Sequence, residues 1–469
     1  MPHFDLLIIG TGSGNSILTH AFDDWNVAIV ERSVFGGTCL NAGCIPSKML
    51  VLPADRMVEA AEATERLDVR IDALDADWPA MRDRVFGRID PIATGGEEYR
   101  RGQQHVTVFA GDARFIGKRA VRVTAADGGE QDLTADRIVL AAGASPRLPD
   151  IPGLDGVPVH TSDSIMRIDA LPEHLVILGG GFIAAELGHV FSALGSKVSV
   201  VHRGDRMLRH EDSDVSARFT EVFCRRIDLY FDAIARKVSG EPGRITVEFD
   251  QHLDGGTAQL GCRGESVTGD VLLVTTGRDP NGAQLDVNAT GVELDAHGYV
   301  VTDDTLLTAA EGVWALGDIR NDQQLKHLAN QEAKVVSHNL LHPDDPIRID
   351  QRVVPHAVFS HPQIGSVGAT EMELRNAGRL FLVGRRDYGD VAYGWALEDT
   401  TGFAKVLIDP TTLQILGGHV IGPQAATLVQ QLAQAMTFQV PADRLAREQI
   451  WCHPALPEVL ENALLDALR

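Results

Sequence analysis

Near its N-terminus the chain reads Leu6-Leu7-Ile8-Ile9-Gly10-Thr11-Gly12-Ser13-Gly14-Asn15. An apolar run of this kind is typical of a strand that is buried on both faces. The glycine-rich turn is followed by a segment of helical length and then by a second apolar run, Val27–Val30, which ends at Glu31. This order predicts a dinucleotide-binding β-α-β unit, in which the glycines admit a pyrophosphate and Glu31 accepts hydrogen bonds from a ribose.

This first unit departs from the usual pattern at one position. Asn15 occupies the third glycine position, Gly14 is shifted by one, and the segment that leads to Glu31 is short. We therefore expect the helix to pack on the strand differently in detail from a standard unit. A structural glycine turn in an α/β fold is the alternative interpretation.

A second nucleotide fingerprint follows the apolar run 175–178. Gly179, Gly181 and Ala184 have the GxGxxA spacing, and the strand 197–201 comes after a helix-length segment. Where an NAD site would present an acid, this strand is followed by His202 and Arg203, and then by Arg206 and Arg209. A missing carboxylate together with clustered arginines favours a 2′-phosphate, so the pattern predicts NADPH. The alternative is a solvated basic loop.

Two cysteines lie in the stretch Gly36-Gly37-Thr38-Cys39-Leu40-Asn41-Ala42-Gly43-Cys44-Ile45-Pro46-Ser47-Lys48. In a regular helix their Cα atoms would be about 8–9 Å apart, whereas a disulfide tolerates about 7 Å. If Cys39 and Cys44 bond, the backbone between them must leave the helical conformation, which Gly43 and Asn41 permit. So short a loop makes a redox role more plausible than a structural one.

The rest of the chain contains a return strand and a second group of candidate site residues. The stretch 271–281, with Gly277, resembles residues 138–146 and predicts a return to the first domain. A strand ends at Gly317-Asp318, a helix begins at Lys326, strands are expected at 403–408 and 415–421, and a helix at 425–437. Near the end, His453 precedes Glu458 by five residues, so it is either a surface residue or a histidine that the carboxylate orients as an acid/base.

Composition limits the class of protein. A chain of 469 residues is long enough for about three domains. The net charge of -23 argues against nucleic acid or an anionic membrane as the main partner. Five cysteines in so long a chain are not a secreted disulfide framework, and Cys224, Cys262 and Cys452 are expected to be ordinary thiols. No membrane-spanning run or signal peptide is evident, so we expect a cytoplasmic protein.

Taken together, the redox stretch, both fingerprints, Gly317-Asp318 and the ending His453-Pro454…Glu458 resemble the pyridine nucleotide–disulfide oxidoreductases, the family of glutathione reductase and lipoamide dehydrogenase. The resemblance implies an α/β fold with two doubly wound dinucleotide-binding domains of the glutathione reductase type and an α+β dimerisation domain. It implies FAD-binding segments at 1–149 and 271–345, an NADPH-binding domain at 150–270 and an interface domain at 346–469.

The resemblance also implies roles for individual residues. Cys39 is similar to the thiol that attacks substrate and Cys44 to the thiol that faces the flavin. Lys48 and Glu186 resemble an ion pair beside flavin and nicotinamide, and His453 with Glu458 resembles the acid/base dyad that the neighbouring subunit of a homodimer supplies. The cofactor-binding positions that it implies are Gly10, Gly12, Gly14, Glu31, Gly37, Thr38, Lys48, Asp318, Ala329, Gly179, Gly181, Ala184, Arg203, Arg209 and Gly277.

The implied activity is reduction of a low-molecular-weight disulfide by NADPH through FAD and a Cys39–Cys44 redox pair, with no metal. Mycothione is the favoured substrate. The motif Cys44-Ile45-Pro46-Ser47-Lys48 is spelled as in lipoamide dehydrogenases, whereas the spacing of Arg203 and Arg209 matches glutathione reductases, so both activities stay open. A flavoprotein oxidase or electron-transfer module, which would not need the cysteines, is the alternative outside disulfide chemistry.

Overall fold

The computed structural model describes residues 1–252 and 260–469. Its strands are β1 (His3–Ile9), β2 (Val27–Glu31), β3 (Val106–Ala110), β4 (Asp112–Gly117), β5 (Ala120–Thr124), β6 (Glu130–Leu140), β7 (Ala144–Pro146), β8 (His174–Leu178), β9 (Lys197–Val201), β10 (Asp228–Tyr230), β11 (Ala233–Glu241), β12 (Arg244–Gln251), β13 (Ser266–Gly269), β14 (Val271–Val274), β15 (Arg278–Pro280), β16 (Val313–Ala315), β17 (His356–Val358), β18 (Ile364–Gly368), β19 (Leu382–Asp387), β20 (Phe403–Ile408) and β21 (Ile415–Ile421). Its α-helices are α1 (Gly37–Asn41), α2 (Cys44–Arg66), α3 (Trp78–Arg101), α4 (Phe182–Ala193), α5 (Ser213–Phe223), α6 (Lys326–Leu341), α7 (Glu371–Asn376), α8 (Ala392–Ala396), α9 (Ala425–Thr437), α10 (Ala442–Glu448) and α11 (Glu458–Ala467).

The first compact unit comprises residues 1–46, 80–147 and 277–350. Its sheet has the strand order β3-β2-β1-β6-β5-β4, and β16 also pairs with β6. Strands β4 and β5 are antiparallel to each other, and β5 pairs antiparallel with the N-terminal half of β6. Leu6 to Ile9 of β1 are at most 4% exposed, as expected for a strand covered on both faces. Since β1, β2, β6 and β16 are parallel, their carboxyl ends meet at one edge.

One predicted element of this unit is absent. Between β1 and β2 the structure has only two short 3₁₀ turns, Gly14–Ile17 and His20–Phe22, and no α-helix. After the glycine turn at residues 10–14, only residues 15–26 remain before β2. As an α-helix these residues would rise about 18 Å and leave none to reverse the direction of the chain. A 3₁₀ turn rises about 2.0 Å per residue, whereas an α-helix rises about 1.5 Å, so the chain returns to the start of β2 with fewer residues. The connection between β1 and β2, which is short in the sequence, therefore forms no α-helix.

The second unit comprises residues 47–79, 148–276 and 351–469. It contains a parallel sheet, β10-β9-β8-β14, and a three-stranded antiparallel sheet, β11-β12-β13. Val271–Val274 pairs with Leu175–Leu178 in the parallel sheet. The predicted return at residue 271 is therefore wrong in its boundary: this strand completes the parallel sheet of the second unit, and the chain re-enters the first unit at Gly277.

The C-terminal part of the second unit is an antiparallel sheet with the order β17-β18-β21-β20-β19. Its strands 403–408 and 415–421 and its helix 425–437 lie where the sequence predicted them. All six residues of β20 are buried, including Lys405, whose ammonium forms ion pairs with Asp212 (2.9 Å), Asp214 (2.8 Å) and Glu371 (2.6 Å). This buried cation joins β20 to the starts of α5 and α7.

No helix among the described residues is long and apolar enough to cross a membrane.

Candidate active site

The first glycine turn has the shape of a pyrophosphate cradle. Gly10 has φ +101°, and a Cβ there would clash with the carbonyl oxygen of Ala141. A Cβ on Gly37 would lie 2.7 Å from the Cα of Gly12, so the start of α1 presses against the turn. On Gly12 itself a Cβ would meet no atom closer than 3.9 Å, and it would occupy the space that a phosphate needs. The turn therefore fits a dinucleotide.

Glu31 lies at the end of β2, where the sequence predicted a ribose-binding acid. Its carboxylate accepts hydrogen bonds from the N–H of Thr11 (2.9 Å), the hydroxyl of Thr11 (2.6 Å) and the N–H of Ser33 (3.0 Å). These contacts hold the carboxylate at the edge of the glycine turn, in the same unit. Its role as a ribose ligand stays a prediction.

Asp318 and Ala329 lie on the same edge of the first sheet. Gly317 has φ +75°, and its N–H donates to Glu332 of α6 (2.6 Å). A Cβ on Gly317 would lie 3.5 Å from that of Ala329, which places Ala329 and the first turn of α6 directly beside this turn. Burial raises the pKa of Asp318, and the positive charges of Arg278 and Lys326 oppose that rise. A carboxylate in this position suits the hydroxyl groups of a nucleotide linker.

The cysteine stretch breaks between two helices. Cys39 lies in α1 and Cys44 begins α2; Ala42 between them has φ −148° and ψ 15°. The backbone thus leaves the helical conformation between the cysteines, as a disulfide would require. The glycine acts differently from the expectation: a Cβ on Gly43 would lie 2.9 Å from the carbonyl oxygen of Thr38, so Gly43 is needed for close approach. Cys39 is half-buried and Cys44 is exposed.

The predicted pair of Lys48 and Glu186 is present. The ammonium of Lys48, one turn of α2 beyond Cys44, donates to both carboxylate oxygens of Glu186 at 2.9 and 2.7 Å. Glu186 is buried and also accepts the N–H of Phe359 (3.0 Å), and the ring of Phe359 lies 4.8 Å from the ammonium. Phe359, which sequence reasoning missed, therefore fixes both members of the pair.

The second glycine turn is built like the first, but its α-helix is intact. Gly179 has φ +122°, and a Cβ there would lie 2.5 Å from the carbonyl oxygen of Thr275. Gly181 is the N-cap of α4, and a Cβ on it would meet nothing within 4 Å. Ala184 is fully buried on the first turn of the helix. This turn also fits a dinucleotide, with the helix N-terminus available for its phosphates.

No acid follows β9 directly. Burial, reinforced by the charge of Arg209, lowers the pKa of His202 to about 4, so its imidazole is neutral at pH 7. The ring packs against Gly180, where a Cβ would lie 2.6 Å from the imidazole. The side chains of Arg203 and Arg209 are exposed, and Arg209 is 3.4 Å from Asp205. Two exposed guanidinium groups beside a neutral imidazole are suited to a phosphate.

Gly277, predicted to bind cofactor, makes the turn by which the chain re-enters the first unit. It has φ +119°, and its carbonyl accepts the N–H of Arg147 (2.9 Å). A contact with cofactor at Gly277 stays a prediction.

His453 and Glu458 form the predicted dyad. The Nδ1 of His453 lies 2.8 Å from Oε1 of Glu458, and the other carboxylate oxygen accepts the N–H of Ala455 (3.1 Å). Burial alone would raise the pKa of Glu458, but the hydrogen bonds and the charge of His453 make it lower than usual. With Nδ1 held by a carboxylate, Nε2 of the 70% exposed His453 side chain is available to transfer a proton.

The chain is similar to known proteins over nearly its whole length. The model of the family described as pyridine nucleotide-disulphide oxidoreductase matches residues 4–333, and the model of its dimerisation domain matches residues 354–464. A mycothione reductase of Mycobacterium tuberculosis is 45% identical over 99% of both chains, and a dihydrolipoyl dehydrogenase of Haloferax volcanii is 33% identical over 99% of this chain and 96% of that one. The solved structure of the HOCl-induced flavoprotein disulfide reductase RclA from Escherichia coli, a Cu(II) complex, has a TM-score of 0.85 at 26% identity and covers 99% of both chains.

Proposed function

The chain belongs to the pyridine nucleotide-disulphide oxidoreductase family, and we propose that it reduces mycothione, a low-molecular-weight disulfide, at the expense of NADPH. Membership makes it a flavoprotein disulfide oxidoreductase that uses FAD and a nicotinamide nucleotide. The observation that carries the choice of substrate is the 45% identity to a mycothione reductase over 99% of both chains.

The first compact unit is assigned one role, and two segments of the second unit are assigned one role each. We assign FAD binding to residues 1–46, 80–147 and 277–350, NADPH binding to residues 148–276, and subunit pairing to residues 351–469. FAD, when bound, accepts the hydride of NADPH and passes two electrons to a disulfide. A cytoplasmic location stays a prediction.

Preference for NADPH over NADH is proposed from the end of β9. The side chains of Arg203 and Arg209 are exposed, and the position of the usual ribose-binding acid is taken by His202, which is neutral at pH 7. Guanidinium groups bind phosphate through charge-assisted hydrogen bonds, and a hydroxyl-binding carboxylate would repel it.

The proposed chemistry at the cysteines is thiol–disulfide exchange. Reduction of the Cys39–Cys44 disulfide gives a thiolate at Cys39, which attacks one substrate sulfur and forms a mixed disulfide. The second substrate sulfur leaves as a thiolate and takes a proton from the partner subunit's His453. Cys44 then attacks the sulfur of Cys39, which releases the other half of the substrate and restores the starting disulfide.

The remaining site residues act by position and charge. Both carboxylate oxygens of Glu186 hold the ammonium of Lys48, which fixes a cationic group near the start of α2. Glu458 orients His453 through the 2.8 Å contact and supports its protonated form during transfer. The match of residues 354–464 to a dimerisation domain, which includes both residues, supports a homodimer in which each dyad serves the other subunit.

Lipoamide dehydrogenase activity is a second candidate. It is favoured by the motif at residues 44–48 and by the 33% identity to a dihydrolipoyl dehydrogenase. It would run with NAD⁺ and dihydrolipoamide, and the arginines at 203 and 209 would be superfluous in it.

One panel of assays separates these activities. The holoenzyme is given NADPH or NADH with mycothione, glutathione disulfide, lipoamide or oxygen alone, and nicotinamide oxidation is followed by absorbance. We expect the highest kcat/KM with NADPH and mycothione. A higher kcat/KM with lipoamide and NADH would contradict the proposal and select the second candidate, and fast oxidation with oxygen alone would contradict both.

A further inference from the structure

The turn at Gly10–Asn15 lacks the α-helix that normally follows such a turn. The N-terminus of an α-helix carries roughly +0.5 elementary charge, which favours a pyrophosphate. The 3₁₀ turn Gly14–Ile17 aligns too few peptide groups to supply a comparable dipole. In the first unit, two cationic side chains converge on this turn instead.

Lys326 is the first of these cations. Its ammonium donates to the hydroxyl of Ser13, which lies between Gly12 and Gly14, at 2.8 Å. Lys326 is also the first residue of α6, where the helix dipole favours an anion and disfavours a cation. A lysine in this unfavourable position, directed at a glycine turn shaped for a pyrophosphate, points to an anionic ligand at that turn.

Arg100 is the second cation and acts through Asn15. It is 7% exposed and donates to the side-chain oxygen of Asn15 (2.7 Å) and to the carbonyl oxygens of Asn15 (2.8 Å) and Leu18 (3.4 Å). An α-helix over these residues would have bonded these carbonyls internally. Arg100 therefore does two things that the missing helix would do: it satisfies the backbone and places a positive charge behind the turn.

We propose that Lys326 binds the pyrophosphate of FAD directly and that Arg100 positions the turn, so that side-chain cations replace the helix N-terminus at this site. The inference also explains the departure at Asn15, whose side-chain carbonyl is the acceptor that Arg100 needs. It rests on the use of FAD, which family membership gives, and is independent of which disulfide is reduced.

The test measures FAD affinity, not turnover. Apoprotein of wild type, Lys326→Met and Lys326→Arg is titrated with FAD while flavin fluorescence is recorded. Lys334→Met, an exposed lysine further along α6, is the matched control. Loss of a charge-assisted hydrogen bond should raise the dissociation constant about 10- to 100-fold in Lys326→Met. Lys326→Arg should stay within about threefold of wild type, and Lys334→Met should not change it.

Salt dependence gives a second readout. Because each phosphate–cation contact is weakened by salt, added KCl should raise the dissociation constant of wild type more steeply than that of Lys326→Met. Equal FAD affinity and an equal salt response in wild type and Lys326→Met would overturn the role of Lys326. Failure of the wild-type apoprotein to bind FAD would instead contradict the cofactor assignment.

Arg100→Lys keeps the charge but removes the fork that holds Asn15 and Leu18. We expect FAD to bind about tenfold more weakly, while the dissociation constant for NADPH, measured by intrinsic fluorescence, stays unchanged. Arg101→Lys is the neighbouring control. Equal weakening of both nucleotides would indicate general destabilisation and overturn the positioning role, and so would unchanged FAD affinity.

Discussion

The double substitution Arg203→Ala and Arg209→Ala tests the choice of cofactor. Both side chains are exposed, and Arg209 is 56% exposed and close to Asp205. Solvent weakens the interaction of both guanidinium groups with an anion, and Asp205 weakens that of Arg209 further. We therefore assign about 1–1.5 kcal/mol to each contact with a 2′-phosphate, below the range for buried charged hydrogen bonds. Two such contacts give about 2–3 kcal/mol, which is a loss of about 30- to 150-fold.

The assay is kcat/KM for NADPH and for NADH with saturating disulfide. We expect the double variant to lose that factor with NADPH, mostly through KM, and to keep its kcat/KM for NADH within about twofold. Arg225→Ala, which removes an exposed arginine paired with Glu221, is the control and should change neither value. An equal fall with both nucleotides, or no fall with NADPH, would refute the role of these arginines as ligands of the phosphate.

Three further predictions concern the chemistry and the fold. Cys39→Ser should abolish turnover of disulfide substrate while stopped-flow absorbance still shows reduction of the flavin by NADPH; turnover at the wild-type rate would contradict the exchange scheme. His453→Ala should slow disulfide reduction about 10²- to 10⁴-fold and leave flavin reduction unchanged, and an equal loss in both half-reactions would remove it from the proton transfer. Lys405→Met should lower the free energy of unfolding by about 3–5 kcal/mol, because the buried carboxylate of Asp212 and the partly buried carboxylate of Glu371 lose their counter-ion. Burial raises the pKa of Asp212, but the charge of His419 and the hydrogen bond from Lys405 make it lower than usual, and the hydrogen bond from Lys405 is the main cause that lowers the pKa of Glu371. The stabilisation is therefore present above the ordinary carboxylate pKa and lost as pH falls through the folded values, and an unfolding midpoint in wild type that does not fall between pH 6 and pH 3 would contradict this.

Local patterns in the sequence predicted much of the fold and of the site. Each fingerprint combines an apolar strand with glycines at fixed spacing. Glycine is required at positions 10 and 179 because a Cβ there would clash with the carbonyl oxygens of Ala141 and Thr275, respectively. The contact between His453 and Glu458 could also be predicted from the sequence, because the two residues are only five positions apart and a short turn joins them.

The absent helix between β1 and β2 shows where pattern alone was insufficient. A glycine fingerprint and a following strand predict a helix between them, but the connection 15–26 is too short to form one and return. The compensating side chains could not be foreseen, since Arg100 is 85 residues from Asn15 and Lys326 is 313 residues from Ser13. A lysine at the first position of a helix was the one available signal.

The predicted return to the first domain at residue 271 was wrong for a related reason. The stretch that follows residue 271 resembles the end of β6, and sequence similarity does not say which sheet a strand joins. Val271–Val274 pairs with β8, and this pairing places the strand in the parallel sheet of the second unit. Strand partners are tertiary contacts, and buried parallel strands are too alike in composition to distinguish.

The central claim is that electrons from NADPH reach Cys39 and Cys44. It is tested most directly by treating the oxidised holoenzyme anaerobically with one equivalent of NADPH, trapping thiols with an alkylating reagent and locating them by mass spectrometry. We predict that Cys39 and Cys44 become alkylated together only after NADPH is added, as expected for a two-electron dithiol couple, while the flavin remains oxidised and acquires a long-wavelength absorbance band from the neighbouring thiolate. Bleaching of the flavin with neither cysteine alkylated, or alkylation of both before NADPH is added, would contradict the account.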